Sequence, residues 1–394
     1  MTLRYLVPAL AVVGSAAAAC NGPYTISSSA DAAAISTCQT YSGDIAVATG
    51  NADDIALNGI RRITGSLTVK ANNKMSSLSA DSLSQIDDSF QLRDLQLLST
   101  LNFPSLQSVN TVDWEGLPNL GALSFTAGLS KVASLSIQNT VLGSLDGVNL
   151  VEVDTLFVVN NFYLNHITMQ LGNVSTALTL SANGNDVQAS FPNLEWATNM
   201  TLANCSSIDL QSLSAVNGSL GFYSNYMQSL SFPNLTMVGQ SFYFVDNPSL
   251  TNISAPSVKT VGGGLVMSNN TDLQTVNGFN KLESVGGAVD FNGNFKNVML
   301  PALQNVRGGF NLQSKQNVDS SCARFKPLSG GRASPIKGKF VCKTTAQPQS
   351  KGNGNGGSST SGGSSSSSSS PANPILISGA TGVLGVVAAI FGML

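Results

Sequence analysis

Charged residues are scarce in this sequence. They make up 10% of its 394 residues, and the formal net charge is −2, whereas soluble domains average about 25% charged residues. The sequence also contains no run of basic residues. Binding to nucleic acid or to anionic lipid therefore has no support, because both depend on clustered Lys and Arg side chains. Solubility has to come from Ser, Thr and Asn side chains or from attached glycans.

Recognisable catalytic and metal-binding motifs are also lacking. The only histidine is His166, and the few Asp and Glu residues near it do not have the spacing of metal ligands. No serine lies in the Gly-x-Ser-x-Gly turn that presents the nucleophile of many hydrolases. We therefore expect no cofactor and no metal, and we interpret His166 as a polar loop residue.

The N-terminus has the features of a signal peptide. Arg4 is followed by a short apolar stretch at 5–13 and then by Ala17-Ala18-Ala19, a small-residue pattern typical of a cleavage site. The apolar stretch is too short to span a bilayer. We predict a signal peptide over residues 1–19, with Cys20 as the first mature residue.

The C-terminus has the pattern of a glycosylphosphatidylinositol (GPI) attachment signal. Residues 375–394 contain no charge and follow a Ser-rich spacer, and a GPI signal combines such a tail and spacer with small residues at the attachment site. We predict attachment at Gly363, within the window Ser361, Gly362 and Ser364. Residues 375–394 would be removed on maturation, leaving 344–374 as a disordered Gly/Ser-rich stalk.

These two signals predict a eukaryotic protein that works outside the cell, tethered to a surface. Glycosylation fits that setting. Asn-x-Ser/Thr acceptors for N-linked glycans occur at Asn173, Asn199, Asn204, Asn217, Asn234, Asn252 and Asn269.

Residues 20–343 are repetitive. Short apolar-x-apolar segments recur every 20 to 24 residues, beginning at Ile45, Leu67, Phe90, Val112, Leu135, Leu156, Leu178, Met200, Leu220, Phe242, Leu265, Val289 and Phe310. A period near 22 is typical of leucine-rich repeats and coiled β-solenoids. Little of each repeat suits a helix, so the sequence predicts an all-β, parallel β-solenoid of about 13 turns, which we call rungs.

Other features recur in phase with these segments. An asparagine follows the strand start at Asn72, Asn139, Asn161, Asn183, Asn204, Asn225, Asn247, Asn270 and Asn294, and we expect these side chains to stack as an internal ladder. Segments such as Phe232-Pro233-Asn234-Leu235 lead to Val-Gly steps at Val238-Gly239, Val261-Gly262 and Val285-Gly286. Glycine allows a tight turn into the next strand there.

Four of the five cysteines lie in pairs near the two open ends of such a solenoid. Cys20 and Cys38 bracket its start, and Cys322 and Cys342 bracket its finish, so we predict two capping disulfides in an oxidising compartment. Cys205 remains, most simply as a buried thiol. We also expect a helical stretch near 29–37 to cover the first rung.

In combination, these features resemble one fungal family. The signal peptide, the paired cysteines, repeats of the type Phe232-Pro233-Asn234-Leu235 through Phe242-Tyr243-Phe244, and the Ser-rich GPI tail are similar to GPI-anchored cell-wall organisation proteins related to sporulation-specific wall proteins. Their repeats look like the receptor L-domain of growth-factor receptors, which is leucine-rich-repeat-like. The resemblance implies a non-enzymatic mannoprotein needed for wall integrity, with no catalytic motif to carry over.

Period-2 alternation predicts which strand residues face outward. Tyr223, Tyr243, Val245 and Val266 form an apolar, aromatic island on that face, and Phe157 with Val159 forms a smaller one. Exposed aromatic groups on a flat β-face suit stacking on sugar rings or docking of a protein. We therefore expect a binding surface for cell-wall polysaccharide or for other surface proteins, unless a loop or a glycan covers it. Trp114 and Trp196 are interpreted as core residues.

Two alternative functions remain at this stage. Outward-facing Asp113 and Glu115, with Arg93 one rung away, are compatible with a wall-remodelling carbohydrate-active enzyme, although such a trio is more often a solvated ion cluster on an exposed face, which is the interpretation we favour. The likeness to receptor L-domains also allows an adhesion or signalling module.

Overall fold

The computed structural model describes residues 20–345, apart from residues 52 and 332. The predicted signal peptide at 1–19, the attachment window around Gly363 and the tail at 375–394 lie outside the described residues. Within the described part of the chain, no helix is long and apolar enough to cross a membrane.

The described chain consists almost entirely of short β-strands. The strands are β1 Tyr24–Ile26, β2 Thr40–Tyr41, β3 Ile45–Val47, β4 Ile55–Ala56, β5 Arg62–Ile63, β6 Leu67–Lys70, β7 Ser77–Ser79, β8 Gln85–Arg93, β9 Thr100–Asn102, β10 Ser108–Leu117, β11 Lys131–Thr140, β12 Glu152–Val159, β13 His166–Thr168, β14 Asn173–Ser181, β15 Val187–Ser190, β16 Trp196–Ala203, β17 Cys205–Asp209, β18 Ala215–Val216, β19 Leu220–Tyr223, β20 Ser229–Ser231, β21 Met237–Val238, β22 Phe242–Val245, β23 Asn252–Ser254, β24 Thr260–Val261, β25 Leu265–Ser268, β26 Thr275–Val276, β27 Ser284–Val285, β28 Val289–Gly293, β29 Asn297–Val298, β30 Asn305–Val306, β31 Phe310–Ser314 and β32 Phe340–Thr344. The helices are α1 Ser29–Ala34, α2 Asp319–Phe325 and a 3₁₀ turn at Lys326–Leu328.

The predicted rungs form a parallel β-solenoid. All thirteen predicted strand starts, from Ile45 to Phe310, pair with one another in direct register. Tyr24 adds one pairing before Ile45, and Phe340 adds one after Phe310. The fold prediction is confirmed, and the structure extends the ladder by one strand at each end.

A second ladder runs beside this main ladder. It joins the residues that precede the strand starts, for example Ala215 with Met237 and Met237 with Thr260. In β8, β10, β11, β12, β14 and β16 the two ladders belong to single strands of 8 to 10 residues. From β18 onward each rung splits them into two strands, as in β18 and β19. We call the residues between the two ladders the corner of a rung.

Both ends are closed as predicted. Cys20 is bonded to Cys38 and Cys322 to Cys342. Helix α1 covers the first rung and begins with a capping box at Ser28, while α2 carries Cys322. These segments shield apolar side chains and strand edges that an open solenoid would expose.

Asparagines stack inside the coil, but not all of the predicted ones. Of the predicted residues, Asn72, Asn161, Asn183, Asn225, Asn247 and Asn270 are buried. Asn247 shows the pattern: its Nδ2 donates to the Asn270 Oδ1 and the Phe222 carbonyl, at 3.0 Å each, and its Oδ1 accepts from the Asn225 backbone N–H at 3.0 Å. Each rung therefore satisfies polar backbone groups of its neighbours.

The ladder prediction was wrong for Asn139, Asn204 and Asn294, which are not buried. Asn139 and Asn204 have positive φ angles, of 55° and 61°, and lie one residue before the interior position. That interior position is occupied by Thr140 and Cys205. Asparagine suits both the left-handed turn and the interior stack, so the residue type alone does not separate the two positions.

Candidate functional site

The outward face of the main ladder has the predicted alternation. Buried and half-buried residues alternate along the strands, as in β22 with buried Phe242 and Phe244 and half-buried Tyr243 and Val245. This pattern confirms the orientation of the residues predicted to face outward in these rungs.

The structure brings Tyr223, Tyr243, Val245 and Val266 together, and we call them the tyrosine patch. Tyr223 pairs with Val245, and Tyr243 pairs with Val266 on the next strand. The rings of Tyr223 and Tyr243 lie with centroids 6.2 Å apart and planes 32° apart, a range in which aromatic pairs attract.

Tyr223 lies flat on the sheet because Gly221 has no side chain. A Cβ atom at Gly221 would overlap the Tyr223 ring, with the phenol oxygen 2.7 Å away. Burial raises the pKa of the Tyr223 phenol, and the neighbouring Tyr243 adds to this shift. The patch is therefore a low, half-buried aromatic surface.

The smaller predicted island is less accessible. Phe157 is half-buried, but Val159 is 8% exposed although its position alternates outward. Phe157 pairs with Thr179 on the next strand of the main ladder, and Thr179 pairs with Thr201 on the strand after that. It therefore does not join the tyrosine patch, which begins on later strands.

The proposed acid pair is held by one arginine. Arg93 Nη2 lies 2.6 Å from an Asp113 carboxylate oxygen, and Arg93 Nη1 lies 3.2 Å from a Glu115 oxygen. The hydrogen bond and charge of Asp113 raise the pKa of Arg93. Both carboxylates thus serve as partners of one cation, as an ion cluster on an exposed face requires.

His166 starts the short strand β13, where the sequence predicted a loop. Its Nε2 lies 3.2 Å from Asp146, and its Nδ1 lies 2.7 Å from the side-chain oxygen of Asn165. The Ser144 hydroxyl and then His166 lower the pKa of Asp146. Across residues 20–345, excluding 52 and 332, no three His, Cys, Asp or Glu side chains converge as a metal site would need.

Cys205 is a buried free thiol in the interior stack. Burial raises its pKa to about 12, so the thiol stays protonated at neutral pH. Reactive cysteines need the opposite shift, and Cys205 therefore has a structural place in the coil.

A groove not anticipated from the sequence lies at the corners of β8, β10, β11, β12 and β14, and we call it the corner groove. Its volume is about 530 Å³, within the range of ligand sites. Its polar lining residues are Gln85, Asp87, Ser108, Asn110, Lys131, Glu152, Asp154 and Asn173, and its apolar lining residues are Ile86, Val109, Val132, Ala133 and Val153. No single motif reveals it, because the lining residues come from five rungs.

Register shifts explain why the corner groove is concave. The β8 segment from Ile86 to Ser89 faces the shorter β10 segment from Val109 to Thr111, and Val174 to Ala177 of β14 faces Val153 to Thr155 of β12. Strands β8 and β14 thus carry one extra residue each. Such bulges bend the strand locally, and here they bracket the three strands between them.

Trp196 was wrongly interpreted as core. It is half-buried, whereas Trp114 is fully buried. Trp196 begins β16 in register with Asn173, so the indole lies on the strand next to one end of the corner groove. Its side chain follows the column of outward residues that includes Asn173, which is why it keeps solvent contact.

The most exposed aromatic side chains were also missed. Phe162 is 70% exposed and Tyr163 is 68% exposed, and both follow the buried ladder residue Asn161. The rung of Asn183 carries Gly184 and Asn185 there, and the rung of Asn225 carries one aromatic residue, Tyr226. The pair of adjacent aromatic residues at a turn position is the sequence signal that could have revealed this exposure.

The predicted glycan acceptors differ in exposure. Asn217, Asn234, Asn252 and Asn269 are exposed, whereas Asn173, Asn199 and Asn204 are half-buried. The Oδ1 of Asn199 accepts from the Ser219 backbone N–H at 3.1 Å, and that of Asn204 accepts from Ala182 at 3.0 Å.

Comparison with known proteins gives a consistent picture. Residues 1–36 match a family described as Ecm33, GPI-anchored cell wall organization protein. The chain is 38% identical to a cell surface GPI-anchored protein of Arthroderma benhamiae and covers 89% of both chains. It is 37% identical to protein ecm33 of Aspergillus fumigatus, over 90% of this chain and 89% of the relative.

A yeast relative is more distant. Sporulation-specific protein 2 of Saccharomyces cerevisiae is 33% identical over 73% of this chain and 57% of its own length. No solved structure matches this chain.

Proposed function

Because this chain belongs to the fungal family of GPI-anchored cell wall organization proteins, we propose that it organises the wall as a binding or spacing scaffold without a reaction of its own. Its place is the outer face of the plasma membrane and the cell wall, as for relatives that are named for a GPI anchor or for the wall.

The uninterrupted main ladder carries this proposal. It continues in register from Tyr24 to Phe340 and is closed at both ends by disulfides. Stacked parallel rungs make a stiff, extended surface, which suits a protein that holds other components at fixed spacing.

The tyrosine patch is the proposed docking surface on this scaffold. Its paired rings and flanking valines offer a flat apolar area to the face of a sugar ring or to a protein partner. Exposed Asn217 and Asn234 lie on adjacent parts of the chain, and glycans there would border the patch.

The enzyme alternative receives less support. A glycosidase needs one carboxyl group that stays protonated and one that stays free to attack or activate water. Asp113 and Glu115 instead share one cation, Arg93, as ion-pair partners, so the structure gives them no separate environments for two such roles. The matching family is described by cell wall organization, and relatives are named as a cell wall protein and a cell wall mannoprotein.

Processing of the two ends completes the proposal. Residues 1–19 direct secretion, Gly363 accepts the anchor, and the predicted stalk up to residue 374 follows β32, which extends to Thr344 and so takes in the first residue of the predicted stalk. Glycans occupy the exposed acceptors Asn217, Asn234, Asn252 and Asn269. Mass spectrometry of the mature protein tests these assignments directly; an intact C-terminal tail would contradict the anchor.

Cells that lack this protein test the proposed function. We expect them to become sensitive to wall-perturbing dyes, and the wild-type chain to restore resistance. A double Tyr223→Ser, Tyr243→Ser variant should restore it poorly, because the patch loses both rings. Tyr163→Ser makes the same chemical change away from the patch and serves as the control.

The outcomes separate the alternatives. Normal wall integrity without the protein would contradict the proposed function. Full restoration by the double variant would show that the tyrosine patch has no part in the proposed function. An enzyme would be supported instead if the Asp113→Asn, Glu115→Gln variant failed to restore resistance and if the wild-type protein, but not this variant, produced new reducing ends on β-glucan, chitin or mannan.

A further inference from the structure

We infer that the corner groove is a carbohydrate-binding site that takes an extended, uncharged polysaccharide chain across β8 to β14. This inference rests on the proposed function, because it names a ligand class and a site for the wall scaffold. It concerns a surface separate from the tyrosine patch.

The shape of the groove fits a polymer. Its lining residues come from five successive strands, and parallel strands lie about 4.8 Å apart, so the groove extends about 19 Å along the solenoid. One side is open to solvent along this length. A linear chain fits such a trough, whereas a compact metabolite would leave most of it empty.

The lining offers hydrogen bonds that the protein itself does not use. Within the described residues, the side chains of Asn110, Lys131, Glu152 and Asn173 make no hydrogen bond or ion pair, although all four line the groove. Amide, ammonium and carboxylate groups supply both donors and acceptors. Sugar hydroxyls need both kinds, because each hydroxyl donates one hydrogen bond and accepts others.

The charges of the groove are nearly balanced. Asp87 is neutralised by Arg62, whose Nη2 lies 2.6 Å away, and Lys131 lies among Glu152 and Asp154 on the lining. One negative charge remains in excess, so an anionic polymer would be repelled, and a cationic polymer would place its charge against Lys131 as well as against the two carboxylates. Uncharged glucan or chitin chains avoid this conflict.

Apolar surface complements the polar rim. Val109, Val132 and Val153 are at most 4% exposed and line the groove from below. Trp196 lies beyond Asn173 at one end with part of its indole accessible. Sugar rings have apolar faces that pack against aliphatic and aromatic groups, so this arrangement favours a saccharide over a purely polar ligand.

The chain carries a possible competitor for this site. Asn173 is a glycan acceptor on the lining, and the hydroxyl of Ser175, the third residue of its acceptor triplet, donates to Asp154. A glycan at Asn173 would supply the same chemistry from within the protein. The experiment must therefore separate a free polysaccharide from the chain's own glycan.

Binding is measured with full-length protein made in a fungal host and released from the membrane by cleavage of its anchor. Soluble β-glucan and chitin oligosaccharides are the probes, and tryptophan fluorescence provides one readout because Trp196 borders the groove. Ala133→Trp places a bulky ring on the lining without removing a polar group. Gln240→Trp makes an equally bulky change at an exposed corner outside the groove.

We expect wild-type protein to bind one of the probes and Ala133→Trp to bind it at least ten-fold more weakly. Asn110→Ala with Glu152→Gln should also bind at least ten-fold more weakly. Gln240→Trp should keep wild-type affinity, and so should Glu283→Gln, which removes one exposed carboxylate outside the groove. Asn173→Gln should bind as well as wild type or better. Thermal melting of each variant confirms that it is folded.

Three results would overturn the assignment. The first is wild-type protein that restores wall integrity in cells yet binds neither probe, which leaves the proposed function standing. The second is unchanged affinity in Ala133→Trp. The third is binding seen only in Asn173→Gln, which would show that the groove holds the protein's own glycan.

Discussion

The corners of the rungs are built from different residues in two parts of this solenoid. We call the part from β8 to β16 the bulged half. Most of its corner residues are polar, as at Asn110 and Asp154, and two of its strands carry a bulge. In the glycine half, β18 to β31, glycines fill the equivalent places, and a Cβ at Gly262 would overlap the carbonyl oxygen of Gly239 one rung below. The first arrangement opens a groove, and the second closes the corner completely.

Charge follows the same division. The four ion pairs of the described residues involve Arg62, Arg93 and His166 with their acidic partners, and all lie in or next to the bulged half. The tyrosine patch lies in the glycine half instead. A repeat with one backbone plan thus carries a polar concave surface in one part and an apolar flat surface in the other.

The largest expected effect tests the closed corners. Gly262→Ala should lower the free energy of unfolding by about 3 kcal/mol, because the new methyl group forces two stacked backbones apart. Asn110→Ala, at an open corner, should change it by less than about 0.5 kcal/mol. Denaturant unfolding of both variants measures the difference, and equal values would mean that the corners do not differ in packing.

A smaller loss is expected from the interior ladder, which the two halves share. Asn247→Ala removes the acceptor of the Asn225 N–H and the donor to Phe222, and should cost about 2 kcal/mol for the buried groups left without partners. Asn294→Ala is the control, since the Asn294 amide bonds at an exposed site. A loss as large in the control would contradict the ladder's role.

Gly221→Ala should affect the tyrosine patch more than stability. The added methyl group meets the Tyr223 ring, which can swing outward at low cost because it is the end of a side chain. We expect a changed near-ultraviolet circular dichroism spectrum and a melting temperature close to wild type. An unchanged spectrum would mean that Tyr223 does not rest on Gly221.

The smallest effect concerns acid pH. The pKa of Asp146 is lowered in the folded protein from 3.8, first by Ser144 and then by His166. Its contribution to stability is therefore present above about pH 4 and is lost as the pH falls through the lower folded value. Asp146→Asn should remove this part of the acid dependence. Because Asp146 is largely exposed, we expect a slight change in the unfolding midpoint between pH 5 and pH 2.

Much of the fold was predictable because each rung repeats the same local pattern. The strand starts from Ile45 to Phe310 were found from apolar spacing alone, and every one pairs in register. The capping disulfides followed from cysteine placement. The tyrosine patch was also predictable, since alternation along a strand fixes which residues share a face.

Predictions failed where one residue type suits two adjacent positions. Asn139 and Asn204 were assigned to the interior ladder but occupy the left-handed turn before it. Trp196 was assigned to the core, yet its position on the outward column leaves it accessible. For the asparagines, a shift of one residue decided whether the side chain is buried. For Trp196, the face of the strand decided it.

The sequence by itself determined the coil, its period, its closed ends and the residues of its outward face, because these depend on spacings within one or two repeats. Only the tertiary structure decided where the coil is concave. The corner groove needs extra residues in β8 and β14 and their alignment with β10 to β12, and it gathers side chains separated by whole rungs. Stacking brings such residues within about 5 Å of the next strand, a proximity that no local pattern records.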